Sequence, residues 1–392
     1  MNKAVILGAN YYIGLSTIKC LGIKNVHVVA VDYSYDGSYA FDSKYCSEKL
    51  IGPHYKNEPK QFLDFLIEYS KKQDLKPVLI PCADPYVEFV DKYLYELREY
   101  YLIPQTEKGL YTELMDKEKL NALAIKNDVK VPETVYVSDS NFLDKVDTSI
   151  GYPCIVKPTD SPSFVSEFRR KMFMVNNREE LIETVQKVHE KNLEVIVQRI
   201  IPGFDDHMYT FDAYLNQDAK VTNWMTCQKY RQYPINFGAS VYTGQKYVQE
   251  LYDIGSKFLE SVGYKGFAEI EFKKDAITGE FYLIEVNVRI TNLNSLLCKA
   301  GINMPYLTYA ELIGTPEPPF ELKKDTDLVF WYAYEDFFAV KGYLKTKQLT
   351  LPQVIKSLFK PKAYAIWDIS DPKPFFTFNK TIIKKVVKKI FR

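Results

Sequence analysis

Cysteine and histidine are scarce in this sequence. Its 392 residues include six Cys and four His, and no two cysteines form a CxxC pair. Zinc motifs and disulfide frameworks depend on such spacings, so neither is predicted. This indicates a protein of the reducing cytoplasm. The cysteines are widely separated, at positions 20, 46, 82, 154, 227 and 298.

Long apolar runs and an excess of either charge are also missing. No stretch approaches the roughly 18 apolar residues of a membrane-spanning helix, and the opening MNKAVILGANYYIG meets turn residues too early for a signal-peptide core. The formal net charge is +1, which leaves no general basic surface for nucleic acid. We therefore expect a cytoplasmic protein without a nucleic-acid partner.

The residues that are present are those of a globular protein. Hydrophobic residues make up 46% of the chain and charged residues 26%. The length exceeds that of one typical domain, so the chain can bury a sizeable core in two or three domains.

The stretch GFAEIEFKKDAITGEFYLIEVNVR, residues 266–289, predicts two strands joined by a turn. Side chains alternate faces along a strand, so Glu269 and Glu271 share one face of the first strand. Glu285, Asn287 and Arg289 share one face of the second strand by the same rule. The opposite, apolar face is expected to anchor the hairpin through Ile270, Phe272, Ile284 and Val286.

The polar face of this hairpin holds carboxylates that need a partner. Glutamates opposite each other, with roughly 4.5–5.5 Å between Cβ atoms, repel unless a cation or proton lies between them. Two Glu and an Asn amide offer the oxygen ligands that Mg²⁺ takes, and no His or Cys is there to favour zinc. A solvated polar face is the ordinary alternative. Arg289 on the same face favours a site for a metal and an anion.

The first hundred residues predict an open α/β domain with a parallel sheet. The motif GANYYIG lacks the middle glycine of the dinucleotide fingerprint, although Asp32 lies where a ribose-binding acid is expected. A tight turn at Gly8 is the simpler explanation, and NAD binding is the alternative. The expected strands and helices alternate at 3–7, 13–21, 26–31, 59–71, 78–81 and 84–95.

Cations lie at helix and strand ends in the middle of the chain. A helical pattern from 113 places Lys117 early in the helix, against the macrodipole, and the strand IVKP ends at Lys157, where a lysine can bind phosphate. Lys229 and Arg231 share one face of the next strand pattern, a spacing that suits carboxylate or phosphate oxygens. Solvated lysines and an exposed charge pair are the alternatives.

In this order and spacing, the motifs resemble those of the ATP-grasp superfamily of carboxylate–amine ligases, and most of all its D-aspartate ligase type. Residues 267–289 carry the resemblance most specifically, followed by IVKP at 155–158, VQRIIPG at 197–203 and DK at 116–117. It implies an α/β and α+β architecture in which an open α/β domain precedes an ATP-grasp fold. The expected parts are a pre-ATP-grasp domain at 1–110, a small subdomain at 111–195, a C-terminal subdomain at 196–318 and an appendage at 319–392.

The resemblance also implies roles for single residues. Two lysines would contact the ATP phosphates. The backbone of residues 198–201 would meet the adenine edge, and an aspartate would bind the ribose. These ATP-binding residues are Lys117, Lys157, Gln198, Arg199, Ile201 and Asp205.

The metal and substrate residues follow from the same resemblance. Mg²⁺, or Mn²⁺ in its place, would be held by Glu271, Glu285 and Asn287. Glu269 matches no family position and is expected to be a neighbour, not a ligand. The γ-phosphate and the substrate carboxylate would be neutralised by Arg289, Lys229 and Arg231.

The implied activity joins a carboxylate to an amine. ATP would convert the carboxylate, such as that of D-aspartate, into an acyl phosphate, and an amine would displace the phosphate. A lipid- or polymer-linked cell-wall precursor is one candidate carrier of that amine. Two features depart from the family: residues 159–171 lack glycine and predict a mobile loop, and Gln198 stands where an acid is common.

The last residues, KTIIKKVVKKIFR at 380–392, predict a basic amphipathic helix. Such a helix suits an anionic membrane surface at the inner face of the membrane, and packing on the protein's own body is the equal alternative. Upstream, the aromatic stretch 328–340 is expected to pack on the ATP-binding body. The apolar stripe of the helix comprises Ile382, Ile383, Val386, Val387, Ile390 and Phe391.

Two other classes of function stay open. A nucleotide-binding module without catalysis is compatible with the glycine-free segment, and an NAD-dependent oxidoreductase rests on GANYYIG and Asp32. The sequence defines neither the acid and amine nor the oligomeric state.

Overall fold

The computed structural model describes residues 1–159 and 161–390. The first part contains β1 (Ala4–Leu7), α1 (Tyr12–Gly22), β2 (Val28–Asp32), β3 (Glu48–Ile51), α2 (Pro59–Lys71), β4 (Val78–Pro81), α3 (Asp84–Lys92) and α4 (Leu94–Arg98). Its strands pair in parallel in the order β3-β2-β1-β4. Because β1 and β2 are buried along their whole length, they are the apolar strands that a helix-covered parallel sheet requires. The predicted open α/β domain is confirmed.

The second part forms an antiparallel sheet, here called the small sheet, in the order β5-β8-β6-β7. The helical pattern predicted from 113 is two helices, because the Asp116 carboxylate caps the second one by accepting the backbone N–H groups of Glu118 and Lys119, both at 3.0 Å. The elements are α5 (Leu110–Met115), α6 (Lys117–Lys126), β5 (Thr134–Tyr136), α7 (Phe142–Lys145), β6 (Cys154–Pro158), α8 (Ser161–Phe168), β7 (Phe173–Val175), α9 (Arg178–His189) and β8 (Val195–Arg199).

Helix α8 corrects the prediction of a mobile loop over 159–171. Phe164 and Phe168 lie four residues apart, so they meet on one side of a helix, with 4.8 Å between ring centroids. Phe164 is fully buried in the core of the small sheet. The polar composition of the segment hides this apolar side.

The third part contains β9 (Met208–Leu215), β10 (Val221–Tyr233), β11 (Ala239–Gln245), α10 (Gln249–Ser261), β12 (Gly266–Lys274), β13 (Phe281–Asn287), α11 (Asn294–Lys299), α12 (Met304–Leu312), β14 (Phe320–Glu321), β15 (Val329–Trp331), α13 (Ala333–Lys345), α14 (Leu351–Leu358), β16 (Lys362–Tyr364) and α15 (Lys373–Ile390). Its large sheet has the order β13-β12-β9-β10-β11-β15-β16, with β14 paired to β10. Strands β15 and β16 extend this sheet beyond β11, so residues 319–392 are not a separate appendage. The predicted limits at 110, 195 and 318 remain predictions.

One apolar cluster joins the first sheet to the large sheet and to the C-terminal extension. Tyr12 of α1 lies against Tyr332, with 4.7 Å between ring centroids, and it also lies near Phe330 of β15. All three side chains are buried. The expectation that the aromatics of 328–340 pack on the body is confirmed for Phe330 and Tyr332, whereas Tyr334, Phe337 and Phe338 are exposed.

Helix α15 begins earlier than the predicted position 380. Phe375 and Phe378 pack against the main apolar cluster, whereas Ile383, Val386 and Val387 are exposed. The side chain of Ile390 and residues 391–392 of the predicted stripe lie outside the described residues. In the ranges that the structure describes, no helix is both long and apolar enough to cross a membrane.

Candidate active site

The two strands of the predicted hairpin are β12 and β13, and their register aligns the polar residues. Glu271 lies opposite Glu285, and Glu269 lies opposite Asn287. The carboxylates that were predicted to face each other across the hairpin therefore do so.

A bulge follows Glu271 and changes the apolar side of the hairpin. Phe272 pairs with Leu283, so Ile284 is left at the irregular position. Leu283 is buried in the core, and Ile284 is only half-buried and lies outside it. The prediction that Ile284 anchors the hairpin is wrong, because alternation is shifted where a bulge inserts a residue.

Glu271 forms a buried ion pair. Its Oε1 lies 2.5 Å from Nζ of Lys229, which is on β10, two strands away in the sheet. The side chain of Glu271 is only 14% exposed and that of Lys229 only 3%. Burial raises the pKa of Glu271 to about 7, with the charge of Lys229 acting against this and that of Glu285 adding to it. The pKa of Lys229 is raised although burial opposes this, because Glu271 and Glu269 lie near it. The ammonium group of Lys229 therefore already neutralises part of the negative charge of Glu271 and Glu269.

Glu269 holds the amide of Asn287 in place. Asn287 Nδ2 donates to Glu269 Oε1 at 3.0 Å, which leaves the amide oxygen of Asn287 on the other side of the group. The hydroxyl of Thr291 donates to Glu269 Oε2 at 2.8 Å. Glu269 is therefore a neighbour of the predicted metal ligands that fixes the orientation of one of them.

A second buried acid, Asp212 of β9, was missed by the sequence analysis. It lies beside Glu269, and its Oδ2 accepts the hydroxyl of Thr210 at 2.6 Å. Burial raises the pKa of Glu269 to about 8 and that of Asp212 to about 6. The alternation of Thr210 and Asp212 in MYTFDAYL places both on one face of a strand, which is the pattern that could have identified them.

Of the predicted phosphate lysines, Lys157 lies on β6 of the small sheet and Lys117 begins helix α6. Lys157 Nζ donates to Gln198 Oε1 at 2.7 Å, and Gln198 Nε2 donates to the hydroxyl of Thr134 at 3.0 Å. Lys117 Nζ donates to the carbonyl oxygen of Pro158 at 2.8 Å. Gln198, where relatives often have an acid, therefore positions Lys157 through a neutral acceptor.

Lys157 faces both the other lysine and the hairpin. Burial lowers its pKa to about 8, the charge of Lys117 lowers it further, and Glu285 and Glu271 act in the opposite direction. Lys157 is thus close enough to Lys117 and to the two hairpin glutamates for their charges to affect it. The region between Lys157 and the hairpin is here called the cleft. A polyanion with a bound cation would balance both sets of charges.

Arg289 ties the hairpin to the first part of the chain. Its Nε donates to Asp84 Oδ1 at 2.5 Å and one terminal nitrogen donates to Asp84 Oδ2 at 3.2 Å. Asp84 is the first residue of α3. The Arg289 guanidinium therefore lies between the end of the hairpin and the start of α3.

Arg231 does not share the face of Lys229, so that part of the prediction is wrong. The register of β10 against β11 shifts at Tyr230, and Arg231 pairs with Tyr242 whereas Lys229 pairs with Thr243. The Arg231 guanidinium makes two hydrogen bonds to Asp336, at 2.6 and 2.7 Å, and lies 3.8 Å from the ring centroid of Tyr242. These contacts give Arg231 a structural role in holding α13, and its contact with the γ-phosphate remains a prediction that they do not favour.

Asp205 is also engaged by the C-terminal extension. Its Oδ2 accepts hydrogen bonds from the hydroxyl of Tyr343 and from the backbone N–H of Asn236, the latter at 2.8 Å. The side chain is only 3% exposed. A contact between Asp205 and a ribose remains a prediction that this burial does not favour.

The predicted adenine segment follows the end of β8. Arg199 bridges the sheets, because its guanidinium lies 3.2 Å from Glu133 and 3.5 Å from Asp275 Oδ2 at the hairpin turn. Ile201 is buried. Within residues 1–159 and 161–390, the backbone N–H of Ile201 donates to no other group, so it can serve an adenine nitrogen.

Asp32 bears on the NAD interpretation. Its carboxylate accepts the backbone N–H groups of Ala9 and Tyr33, at 2.9 and 2.8 Å, and the hydroxyl of Ser38 at 3.0 Å. The side chain is 1% exposed. Asp32 closes the strand-to-helix turn at Gly8, so the simpler explanation of this motif accounts for its contacts.

The oxygen atoms that the hairpin offers suit a bound Mg²⁺ that also has water and phosphate ligands. Among the residues that the structure describes, no three His, Cys, Asp or Glu side chains lie close enough together to hold a metal by themselves. Mg²⁺ commonly takes only one or two carboxylates and completes its shell with water and substrate phosphates. Glu271, Glu285 and the oriented amide of Asn287 fit that requirement.

Comparisons with known proteins identify a similar fold and a partial family match. Residues 123–303 match the family model described as the C-terminus of D-ala D-ala ligase. The fold is similar to N5-carboxyaminoimidazole synthetase from Staphylococcus aureus complexed with ADP, with a TM-score of 0.63, 16% identity and coverage of 82% of this chain and 79% of that one. It is also similar to the biotin carboxylase domain of Hydrogenobacter thermophilus 2-oxoglutarate carboxylase in complex with MgADP, with a TM-score of 0.64, 15% identity and coverage of 83% and 72%. The chain has the ATP-grasp fold.

In sequence, the chain is similar to a D-aspartate ligase. The relative, from Enterococcus faecium, is 27% identical over 278 residues. The match covers 67% of this chain and 65% of the relative, so it spans just under two thirds of that protein's length.

Proposed function

We propose that this protein is an ATP- and Mg²⁺-dependent ligase that activates a carboxylate as an acyl phosphate and joins it to an amine. The observation that carries the proposal is the hairpin on which Glu271 lies opposite Glu285, together with Lys157 of the small sheet, whose pKa responds to both glutamates and to Lys117 of α6. Carboxylates opposite lysines suit a triphosphate with its cation, because each set neutralises one component. The ATP-grasp fold supports the same assignment.

The residues of the cleft have separate tasks in this proposal. Lys117 and Lys157 bind the phosphates as point charges, and the backbone at Ile201 recognises the adenine edge. Mg²⁺, or Mn²⁺ with the same preference for oxygen ligands, would be held by Glu271, Glu285 and Asn287 and would stabilise charge on the transferring phosphoryl group.

Lys229 and Arg289 act nearer the reacting carboxylate. A carboxylate is a poor electrophile because an attacking group adds charge to an anion. Transfer of the γ-phosphoryl group to one carboxylate oxygen removes that charge, and the amine then attacks the carbonyl carbon and releases phosphate. Fixed cations and orientation in the cleft supply the stabilisation, so no covalent protein nucleophile is needed.

The similarity to a D-aspartate ligase supports an amino acid such as D-aspartate as the carboxylate. The proposed acceptor is an amine on a lipid- or polymer-linked cell-wall precursor. Reaction with such an acceptor takes place at the inner face of the membrane, where the basic segment 380–392 would contact anionic lipid.

The test is a screen of acid and amine pairs for ATP-dependent phosphate release, with each coupled product identified by its mass. It begins with D-aspartate and a lysine-containing wall peptide. Glu285→Gln keeps the shape of the side chain but loses its charge, so it is expected to lower turnover by at least roughly tenfold at limiting Mg²⁺. Glu280→Gln is the matched control and should turn over as the wild type does, because the half-buried Glu280 at the hairpin turn pairs with Lys130 and not with the proposed metal.

The screen also decides the competing function. ATP binding without phosphate release for any pair would favour a nucleotide-binding module without catalysis. A Glu285→Gln variant as fast as the wild type with a true substrate pair would contradict the metal assignment.

A further inference from the structure

The small net charge of the chain conceals a strong separation of charge. Residues 341–392 contain 13 Lys and Arg against 2 Asp and Glu, which gives this segment a formal charge of +11. Since the whole chain carries +1, residues 1–340 carry −10. The C-terminal extension is therefore a basic region on an acidic protein.

Helix α14 in this region exposes its apolar side. Leu351, Ile355 and Leu358 are 60%, 49% and 49% exposed, and Phe359 directly after the helix is 84% exposed. Their spacing puts all four on one side of a helix. A soluble helix normally turns such a stripe inward, so the exposed stripe is a surface that lacks its partner.

The body of the protein holds α14 firmly in this orientation. The hydroxyl of Ser357 accepts from Arg231 at 3.2 Å, and its carbonyl oxygen accepts the hydroxyl of Tyr242 at 2.8 Å. At the start of the helix, Thr350 and Gln353 form a capping box. Val354 and Ser357 are the half-buried residues of the helix, and the apolar stripe of Leu351, Ile355 and Leu358 is exposed.

Two more exposed apolar groups adjoin α14 through α13. Asp336 of α13 binds the same Arg231 that contacts Ser357, and the next residues, Phe337 and Phe338, are exposed. On the other side, Tyr334 of α13 lies 5.8 Å from Phe378 of α15 between ring centroids. Helix α15 then carries its own exposed apolar residues, which are Ile383, Val386 and Val387.

We propose that α13, α14 and α15 together form a docking face for an anionic lipid bilayer. Exposed lysines accompany the apolar stripes, so the face offers both hydrophobic insertion and charge complementarity to anionic headgroups. A second copy of the chain fits less well, because pairing this face with itself would bring two regions of +11 together. The lysines are Lys356 on α14 and Lys380, Lys384, Lys385 and Lys388 on α15.

The proposal adds α13 and α14 to the amphipathic segment at 380–392 and does not depend on ligase activity. One short amphipathic segment alone gives marginal membrane affinity, whereas several stripes fixed on one body add their contributions. Loss of binding on changing α14 alone therefore distinguishes this face from the terminal segment.

The experiment is flotation of the full chain with vesicles of phosphatidylcholine, with and without phosphatidylglycerol. We expect binding only to the anionic vesicles, and a decrease of roughly tenfold or more in the Ile355→Ser, Leu358→Ser double variant. Leu75→Ser with Ile125→Ser is the matched control, since these side chains are 49% and 65% exposed elsewhere on the protein. This control should bind as the wild type does.

A second measurement reports on contact itself. Phe359→Trp should be quenched by brominated lipid in anionic vesicles. Absence of wild-type binding to anionic vesicles, or binding by the α14 double variant equal to that of the wild type, would overturn the proposal. A dimer in light scattering that this double variant converts to a monomer would also overturn it, because a second copy would then cover the face.

Discussion

At the scale of single residues, the cleft is organised by charges that share partners. Glu271 is bound to Lys229 at 2.5 Å and is also a proposed metal ligand, so Lys229 limits how much negative charge the cation must neutralise. Asn287 is turned by Glu269, which the metal does not need to touch. The residues around the proposed ligands therefore set their orientation and charge as much as the ligands themselves do.

Lys157 makes the cleft sensitive to alkaline pH. Burial lowers its pKa to about 8 from an ordinary value of 10.5, so the ammonium group loses its proton as the pH rises through about 8 and no longer attracts phosphate. We expect kcat/KM for ATP to fall above this pH. Lys157→Arg keeps its charge and should lack this limb of the pH profile.

A limb that persisted in Lys157→Arg would belong to another group. Lys273 is the alternative, since burial lowers its pKa to about 8 as well, but its Nζ donates to the carbonyl oxygens of Gly203 and Phe204. Persistence of the limb would contradict the assignment of Lys157 to the phosphates.

Glu269 is expected to act through Asn287. Glu269→Ala removes the acceptor for Asn287 Nδ2, so the amide can rotate away, and the Mg²⁺ concentration for half-maximal activity should rise roughly tenfold to a hundredfold. Thr291→Val removes the other donor to Glu269 and leaves the contact with Asn287, so it should change the Mg²⁺ requirement little. Equal shifts in both variants would indicate general disruption of the site instead.

At the scale of elements, the C-terminal extension is bound to the ATP-grasp body by buried polar contacts. Arg231 of β10 pairs with Asp336 of α13, and Trp331 Nε1 donates to the same carboxylate at 2.7 Å. Tyr343, also on α13, donates to Asp205. Two residues that the resemblance assigned to the reaction therefore anchor this extension.

Arg231→Met tests that anchoring role. It leaves the Asp336 carboxylate buried without its cation, which should lower the free energy of unfolding by about 3–5 kcal/mol in denaturant titrations. Arg231→Met combined with Asp336→Leu removes both charges and should recover much of the stability and the activity. A double variant that is stable but inactive would return Arg231 to the catalytic machinery.

The sequence predicts elements well where a local pattern decides them. The helix at Pro59–Lys71 and the register of Glu271 with Glu285 follow from periodicity and alternation. It fails where a neighbour decides. The bulge at Tyr230 and the use of Arg231 by Asp336 depend on strands and helices that are distant in the chain, and no local pattern records them.

At the scale of the whole molecule, residues of all three parts contribute to one group of charges. Helix α3, which follows the parallel sheet, supplies Asp84 to Arg289, the small sheet supplies Lys157, and the large sheet supplies the hairpin. The order of motifs predicts this arrangement because it resembles a known family. The continuation of the large sheet into β15 and β16 was not predictable, since these strands have three residues each and pair with partners far along the chain.

The central claim is that a carboxylate is activated by phosphorylation in this cleft. The most direct measurement uses the acid identified by the substrate screen, labelled with ¹⁸O in its carboxylate, together with ATP, Mg²⁺ and the amine, and determines the mass of the released phosphate. An acyl phosphate leaves its bridging carboxylate oxygen on phosphorus when the amine displaces phosphate, so one ¹⁸O should appear in each phosphate released with product. Phosphate without ¹⁸O, formed at the same rate as the product, would contradict the account.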